Sequence, residues 1–216
     1  MDKITVSYAS IPSREKELVK SINSVIDQVD QVNICLNNYK HNPYEHKKVN
    51  VIYSDNSLAD AGRYLFPSKG YQFFLDDDLI VDENYIQDTI KRMTTKSLYT
   101  YHGRCYDSFP IVNYHKSPIK KYRCLNDVEE DVVVDIGGSG CMSWHTDYFE
   151  VPVDILVHQK MADVLIGCYA KSINIPIICL SHKEGYFKYQ HVKNTIYEER
   201  VNNCEKETSI LNDYFK

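Results

Sequence analysis

The chain has 216 residues, 43% of them hydrophobic and 25% charged, with a formal net charge of −5. That length supports one substantial core and leaves two full domains cramped. The acidic balance argues against the broad basic footprint of a nucleic-acid binder, and no apolar stretch approaches membrane-spanning length.

Lys3 to Ala9 alternates Ile4, Val6 and Tyr8 with polar residues and predicts a first strand, stopped at Pro12. Ser13 is placed to cap a helix that begins with Arg14 and Glu15. Leu18, Val19, Ile22, Val25, Ile26 and Val29 then recur at helical spacing. Gln31–Leu36 and Val49–Tyr53 predict the second and third strands, Leu58–Phe66 a short helix, and Tyr71–Leu75 a fourth strand. A helix over about Glu83–Met93 and a strand over Ser97–Tyr101 follow. Further strands are expected near Ile111–Tyr114, Val132–Ile136 and Cys141–Trp144. A helix over about Gln159–Ser172 leads to a strand at Ile175–Leu180, and the charged tail from about 192 to 216 reads as helical. This order implies a mostly parallel α/β sheet covered by helices, with ligands bound beyond the carboxyl ends of the strands. No internal repeat or linker divides it, so one domain spans residues 1–216.

The seven cysteines are odd in number and include no Cys-x-x-Cys pair. This argues against a zinc site or a disulfide framework and for free thiols in a reducing compartment. Met1-Asp2-Lys3-Ile4 enters a strand-like run without the parts of a signal peptide, so a cytoplasmic location is expected. The 18 tyrosines suit sugar and nucleobase contacts, or simply reflect lineage composition.

Asp76-Asp77-Asp78 follows the apolar Phe73-Phe74-Leu75. If the extended backbone continues, Asp76 and Asp78 share a face and Asp77 points away. Two carboxylates at one spot repel unless a proton or cation lies between them. Oxygen-only ligands suit Mg²⁺ or Mn²⁺ bridging phosphates. Ser7 and Ser10, Asn37 and Asn38, and Asp55 and Asn56 follow the earlier strands and fall along the same rim.

In these features the chain resembles the GT-A glycosyltransferases, specifically inverting family-2-like enzymes, over roughly residues 3 to 182. The shared features are Ser10-Ile11-Pro12-Ser13-Arg14, an Asp after strand three, a basic residue on the next helix, and the Asp-x-Asp motif. The small size and Asp-Asp-Asp form are also similar to chlorella-virus glycosyltransferases thought to decorate the capsid, which would act in the host cytoplasm. The resemblance implies a Rossmann-like GT-A fold, a UDP-sugar donor, a glycan or glycoprotein acceptor, and Mn²⁺ or Mg²⁺. It assigns Asp78 to the metal and Asp76 to the metal or ribose, with Asp77 mattering least to the metal. Tyr8, Ser10, Arg14, Asn38 and Asp55 would surround the nucleoside. Asp55 reads equally as a helix cap. Arg63 would reach the diphosphate, or form a surface salt bridge.

Asp163 matches the acidic residue that family members place near the start of the late helix as catalytic base, although Ala162 replaces the first of the family's two adjacent acids. Its bland alternative is a first-turn acid favoured by the helix dipole. His182 matches a late histidine that completes some metal shells, or is an ordinary loop residue. Gly137-Gly138-Ser139-Gly140 is neither a P-loop nor G-x-G-x-x-G, and would let backbone approach a sugar. Trp144 would stack on the acceptor or belong to the core. The Gln-x-x-Arg-Trp motif of processive synthases is absent. Two other readings are a sugar-phosphate nucleotidyltransferase and a non-catalytic carbohydrate- or protein-binding domain. The first usually opens with a Gly-rich loop that Ala9-Ser10-Ile11-Pro12 does not provide.

Overall fold

The computed structural model describes residues 2–156, 160–193 and 195–215. Its strands are β1 (Ile4–Ser10), β2 (Gln31–Asn37), β3 (Val49–Ser54), β4 (Tyr71–Leu75), β5 (Leu79–Val81), β6 (Leu98–Thr100) and β7 (Gly103–Cys105). They continue with β8 (Lys120–Tyr122), β9 (Val132–Val134), β10 (Ile136–Gly137), β11 (Cys141–His145), β12 (Ile177–Cys179) and β13 (Phe187–Tyr189). The helices are α1 (Glu15–Val25), α2 (Tyr85–Arg92), α3 (Ala162–Ser172), α4 (Ile196–Arg200) and α5 (Glu205–Tyr214).

Eight strands form the central sheet in the order β3-β2-β1-β4-β11-β6-β12-β9. The run β3-β2-β1-β4 is parallel, and β11 enters antiparallel between β4 and β6. β1 and β2 read as near-continuous buried runs because helices and loops cover both faces. On one face α1 seats Leu18, Ile22 and Val25 against Val6, Tyr8, Ile34 and Phe73. On the other, α3 packs Ala162, Ile166 and Ala170 with Phe74, Met142 and Trp144. Trp144 is 3% exposed and stacks on Phe74 at 4.3 Å between ring centroids, so it is a core residue and not an acceptor platform. No described helix is long and apolar enough to cross a membrane.

The first four strands lie where the sequence put them, and several later expectations need correction. Ser13 makes no cap; the chain enters α1 through a 3₁₀ turn at Pro12–Arg14. The short helix is a 3₁₀ segment over Ala59–Tyr64. Ile111–Tyr114 is not a strand: Ile111 N–H donates to Asn212 Oδ1 (2.7 Å) and Tyr114 N–H to Thr208 Oγ1 (3.0 Å), so side chains of α5 replace a strand partner. Asn113 reinforces this by accepting from the backbone of His115 and Lys116. Val132–Ile136 splits at Asp135 into β9 and β10, which join different sheets. The tail is helical in two pieces, and α5 packs on α3 through Leu211, Cys204, Val164 and Cys168. The expected start of the late helix at Gln159 lies outside the described residues; α3 begins at Ala162.

Candidate functional site

The strand order reverses between β1 and β4, and such a switch point leaves a crevice beyond the strands' carboxyl ends. Ser10 ends β1 there and donates to Asp77 Oδ2 at 2.6 Å. Asp76 N–H donates to Gly140 O (2.9 Å), after which Leu79 N–H turns back to Asp76 O (3.3 Å). The acids therefore sit in a turn, and strand alternation stops at Leu75. This corrects the expectation that Asp77 points away: all three acids line one cleft of about 860 Å³. That volume is within the range of small-molecule sites.

Each acid has its own partner. Arg63 Nη2 meets Asp76 Oδ1 at 2.7 Å, and Arg14 Nη1 meets Asp78 Oδ2 at 3.2 Å. Arg63 is 4% exposed and also donates to Asp60 O and Ser139 O, so it is a buried wall of the cleft and not a surface ion pair. Burial, with repulsion from Asp76, pushes Asp77 up to about 6 despite its bond from Ser10. Burial and repulsion from Asp76 and Asp77 push Asp78 up to about 7, with Arg14 opposing. Among the described residues no group of three or more His, Cys, Asp or Glu side chains converges as a metal cage. The donor set nevertheless fits a hard cation that keeps phosphate oxygens in its shell, since such a cation needs only one or two carboxylates. Burial first, and then repulsion within the turn, raise Asp77 and Asp78 against the pull of the arginines, so a cation there would favour their ionised forms.

Gly140 makes room for this arrangement. A Cβ there would lie 1.9 Å from Asp76 Oδ2, so the carboxylate would have to leave its place beside Arg63. Gly140→Ala is expected to lower the melting temperature by about 2–8 °C, the size of a loss of about 1–2 kcal/mol in a chain of this length, by differential scanning calorimetry.

The nucleoside contacts fall differently from expectation. Tyr8 is fully buried under α1, where its hydroxyl accepts from Ser21, and it does not line the cleft. Asn38 is exposed with φ 61°, and Asp55 is exposed in an Asx turn that accepts from Ser57 N–H; the Ser57 side chain, followed by that N–H, holds its carboxyl below the usual range. Asn37 and Asn56 line the cleft at this rim instead. His182 stands apart as well: Nδ1 lies 2.8 Å from Leu180 O and Nε2 3.4 Å from Arg123 O, and the residue does not line the cleft.

Asp163 opens the far wall in the first turn of α3. Tyr114 Oη donates to Asp163 Oδ2 at 2.5 Å, and Arg104 Nη1 lies 3.4 Å from the same oxygen. Asp60 also lines the cleft and senses both ends of it; burial raises it, Arg63 opposes, and repulsion from Asp163 and Asp76 raises it further. Arg104, Lys121 and Arg123 make the Asp163 end cationic, and burial together with those charges lowers His102, which also lines the cleft, to about 3 and keeps it neutral. From the tail, Tyr197, Glu199 and Arg200 close the cleft. Lys160 pairs with Glu199, and Arg200 grips buried Glu207 through two bonds of 2.7 and 2.6 Å. Sequence reading missed Arg104, Tyr114 and Asp60 because each lies far along the chain from its partner or in an irregular segment.

No family model and no curated protein matches the chain. Among solved structures it is similar to 4-diphosphocytidyl-2C-methyl-D-erythritol synthase from Anaerococcus prevotii, at 11% identity, TM-score 0.48, covering 99% of this chain and 98% of that one. It is also similar to S. aureus TarS residues 1–349 (10%, TM-score 0.45, 84% and 58%) and to an active-site mutant of LgtC (11%, TM-score 0.39, 67% and 58%). The chain thus spans 58% of the length of the TarS and LgtC structures. Its own topology is the mostly parallel α/β sheet with flanking helices that the sequence predicts.

Proposed function

We propose that the chain is a GT-A, metal-dependent, inverting glycosyltransferase that moves a sugar from a UDP-sugar to a hydroxyl of a glycan acceptor. The supporting observation is one cleft at the sheet's switch point that both the Asp76-Asp77-Asp78 turn and Asp163 line, each held by its own partners. Inversion requires attack from the side opposite the leaving group, so a base must lie away from the diphosphate. In this reading Asp163 takes the proton of the acceptor hydroxyl, while Ser10 and Arg14 support the acidic turn against the donor. Asp78 and Asp76 would hold Mn²⁺ or Mg²⁺, which when bound stabilises charge on the departing diphosphate. Arg63, already 2.7 Å from Asp76, adds fixed positive charge there.

Calorimetry of UDP binding tests the donor half. Binding is expected in Mn²⁺ and at least tenfold weaker in EDTA; equal, negligible heat in both overturns the reading. The product separates this reading from the nucleotidyltransferase alternative. A transferase releases UDP from a UDP-sugar, whereas a nucleotidyltransferase releases pyrophosphate from a nucleoside triphosphate.

A further inference from the structure

We propose that Tyr114 and Arg104 are positioning residues for Asp163, clamping one carboxylate oxygen so that its other oxygen is left for an acceptor hydroxyl. The inference rests on the reading of Asp163 as the base. Three elements meet here: Arg104 from β7, Tyr114 from the irregular loop after Pro110, and Asp163 from α3. Arg104 Nη1 donates to Tyr114 Oη at 2.6 Å and its guanidinium lies 4.6 Å from the Tyr114 ring centroid. A guanidinium can only donate, so Tyr114 Oη accepts from Arg104 and its single proton goes to Asp163. Oδ2 thus receives Tyr114 and Arg104, while Oδ1 receives, among the described residues, Val164 N–H at 2.9 Å. A carboxylate has about four acceptor positions, so one remains, on Oδ1.

The clamp is braced from the tail. Tyr114, 2% exposed, gives its backbone N–H to Thr208 Oγ1 (3.0 Å) and takes Tyr106 Oη on its carbonyl (2.9 Å). Thr208 in turn donates to Cys204 O at 2.7 Å, so α5 fixes the loop that carries Tyr114. Arg104 is 8% exposed, and burying its charge is tolerable only because Asp163 and Tyr114 satisfy it. The other ionisable groups facing Asp163 include Asp60, Tyr64, Tyr106, His115 and Cys168.

The test is the titration of Asp163 followed by carboxyl ¹³C NMR, with the resonance assigned by its loss in Asp163→Asn. Tyr114→Phe keeps the ring and removes the donor, so the Asp163 midpoint is expected to rise by about one unit, because a hydrogen bond to the ionised form is lost. Thr208→Val, which removes the brace and leaves the clamp residues intact, is expected to raise it by less and serves if Tyr114→Phe does not fold. Release of UDP from UDP-glucose by Tyr114→Phe is expected to show kcat about tenfold lower, KM unchanged, and the acid limb of the pH profile moved the same way. An Asp163 midpoint unmoved in both variants overturns the clamp. Absence of UDP binding and UDP release in the wild type overturns the assignment of Asp163 as base, while the titration still decides the clamp.

Discussion

Replacing Asp163 by Asn is expected to lower sugar transfer by about 10²–10⁴-fold, the usual contribution of a positioned general base, while Mn²⁺-dependent UDP binding stays within about twofold of wild type. The two readouts separate because the groups involved are disjoint. Asp163 touches Arg104, Tyr114 and Val164 N–H, whereas the acidic turn touches Arg63, Ser10 and Arg14. Asn keeps the shape of Asp and offers its amide oxygen to Tyr114, so packing of α3 on the sheet is retained. What it loses is the ability to take a proton from an acceptor hydroxyl. Calorimetry with UDP and an assay of UDP release measure the two halves on one preparation. If both binding and transfer fall together, Asp163 is a structural residue that holds buried Arg104.

The parallel half of the fold was legible because its strands carry apolar residues at strand spacing, alternating with polar ones in β1 and continuous at Phe73-Phe74-Leu75 in β4. Val6, Ile34 and Phe73 need no partner information to be read as core. The acidic turn was legible in position and misread in direction. Period-two alternation holds only while the backbone stays extended, and the Leu79-to-Asp76 bond ends it at Leu75. The far wall was least legible. Arg104 and Tyr114 lie in short strands and loops whose backbone groups are satisfied by distant side chains such as Asn212 and Thr208, and no local periodicity records such partners. Tyr8 failed for a simpler reason: its polar tip suited a ligand contact, but Ser21 on α1 already satisfies it inside the core.

The acidic turn carries a second prediction, with opposite signs for stability and function. Asp78→Asn is expected to stabilise the metal-free protein at pH 7.5 and to abolish the metal dependence of UDP binding. Asp78, 15% exposed, has its folded pKa raised from the ordinary 3.8 to about 7 by burial and by Asp76 and Asp77, against the pull of Arg14. Between those values the folded state holds more protons than the unfolded state, so stability falls as pH rises from about 4 to about 7. The raised pKa already includes the attraction of Arg14, so neutralising the side chain is favourable even though that ion pair is lost. Allowing for solvent screening and for sharing of the proton with Asp77, the gain is on the order of 1–3 kcal/mol, or about 2–12 °C in a chain of this size. Scanning calorimetry in EDTA should show the variant melting higher at pH 7.5 and the difference closing towards pH 4. Mn²⁺ with UDP should then raise the melting temperature of wild type and leave the variant unmoved. A variant that melts lower than wild type at pH 7.5 would mean that the Arg14 pair outweighs repulsion within the turn, and the acids would then be a structural cluster that needs no cation.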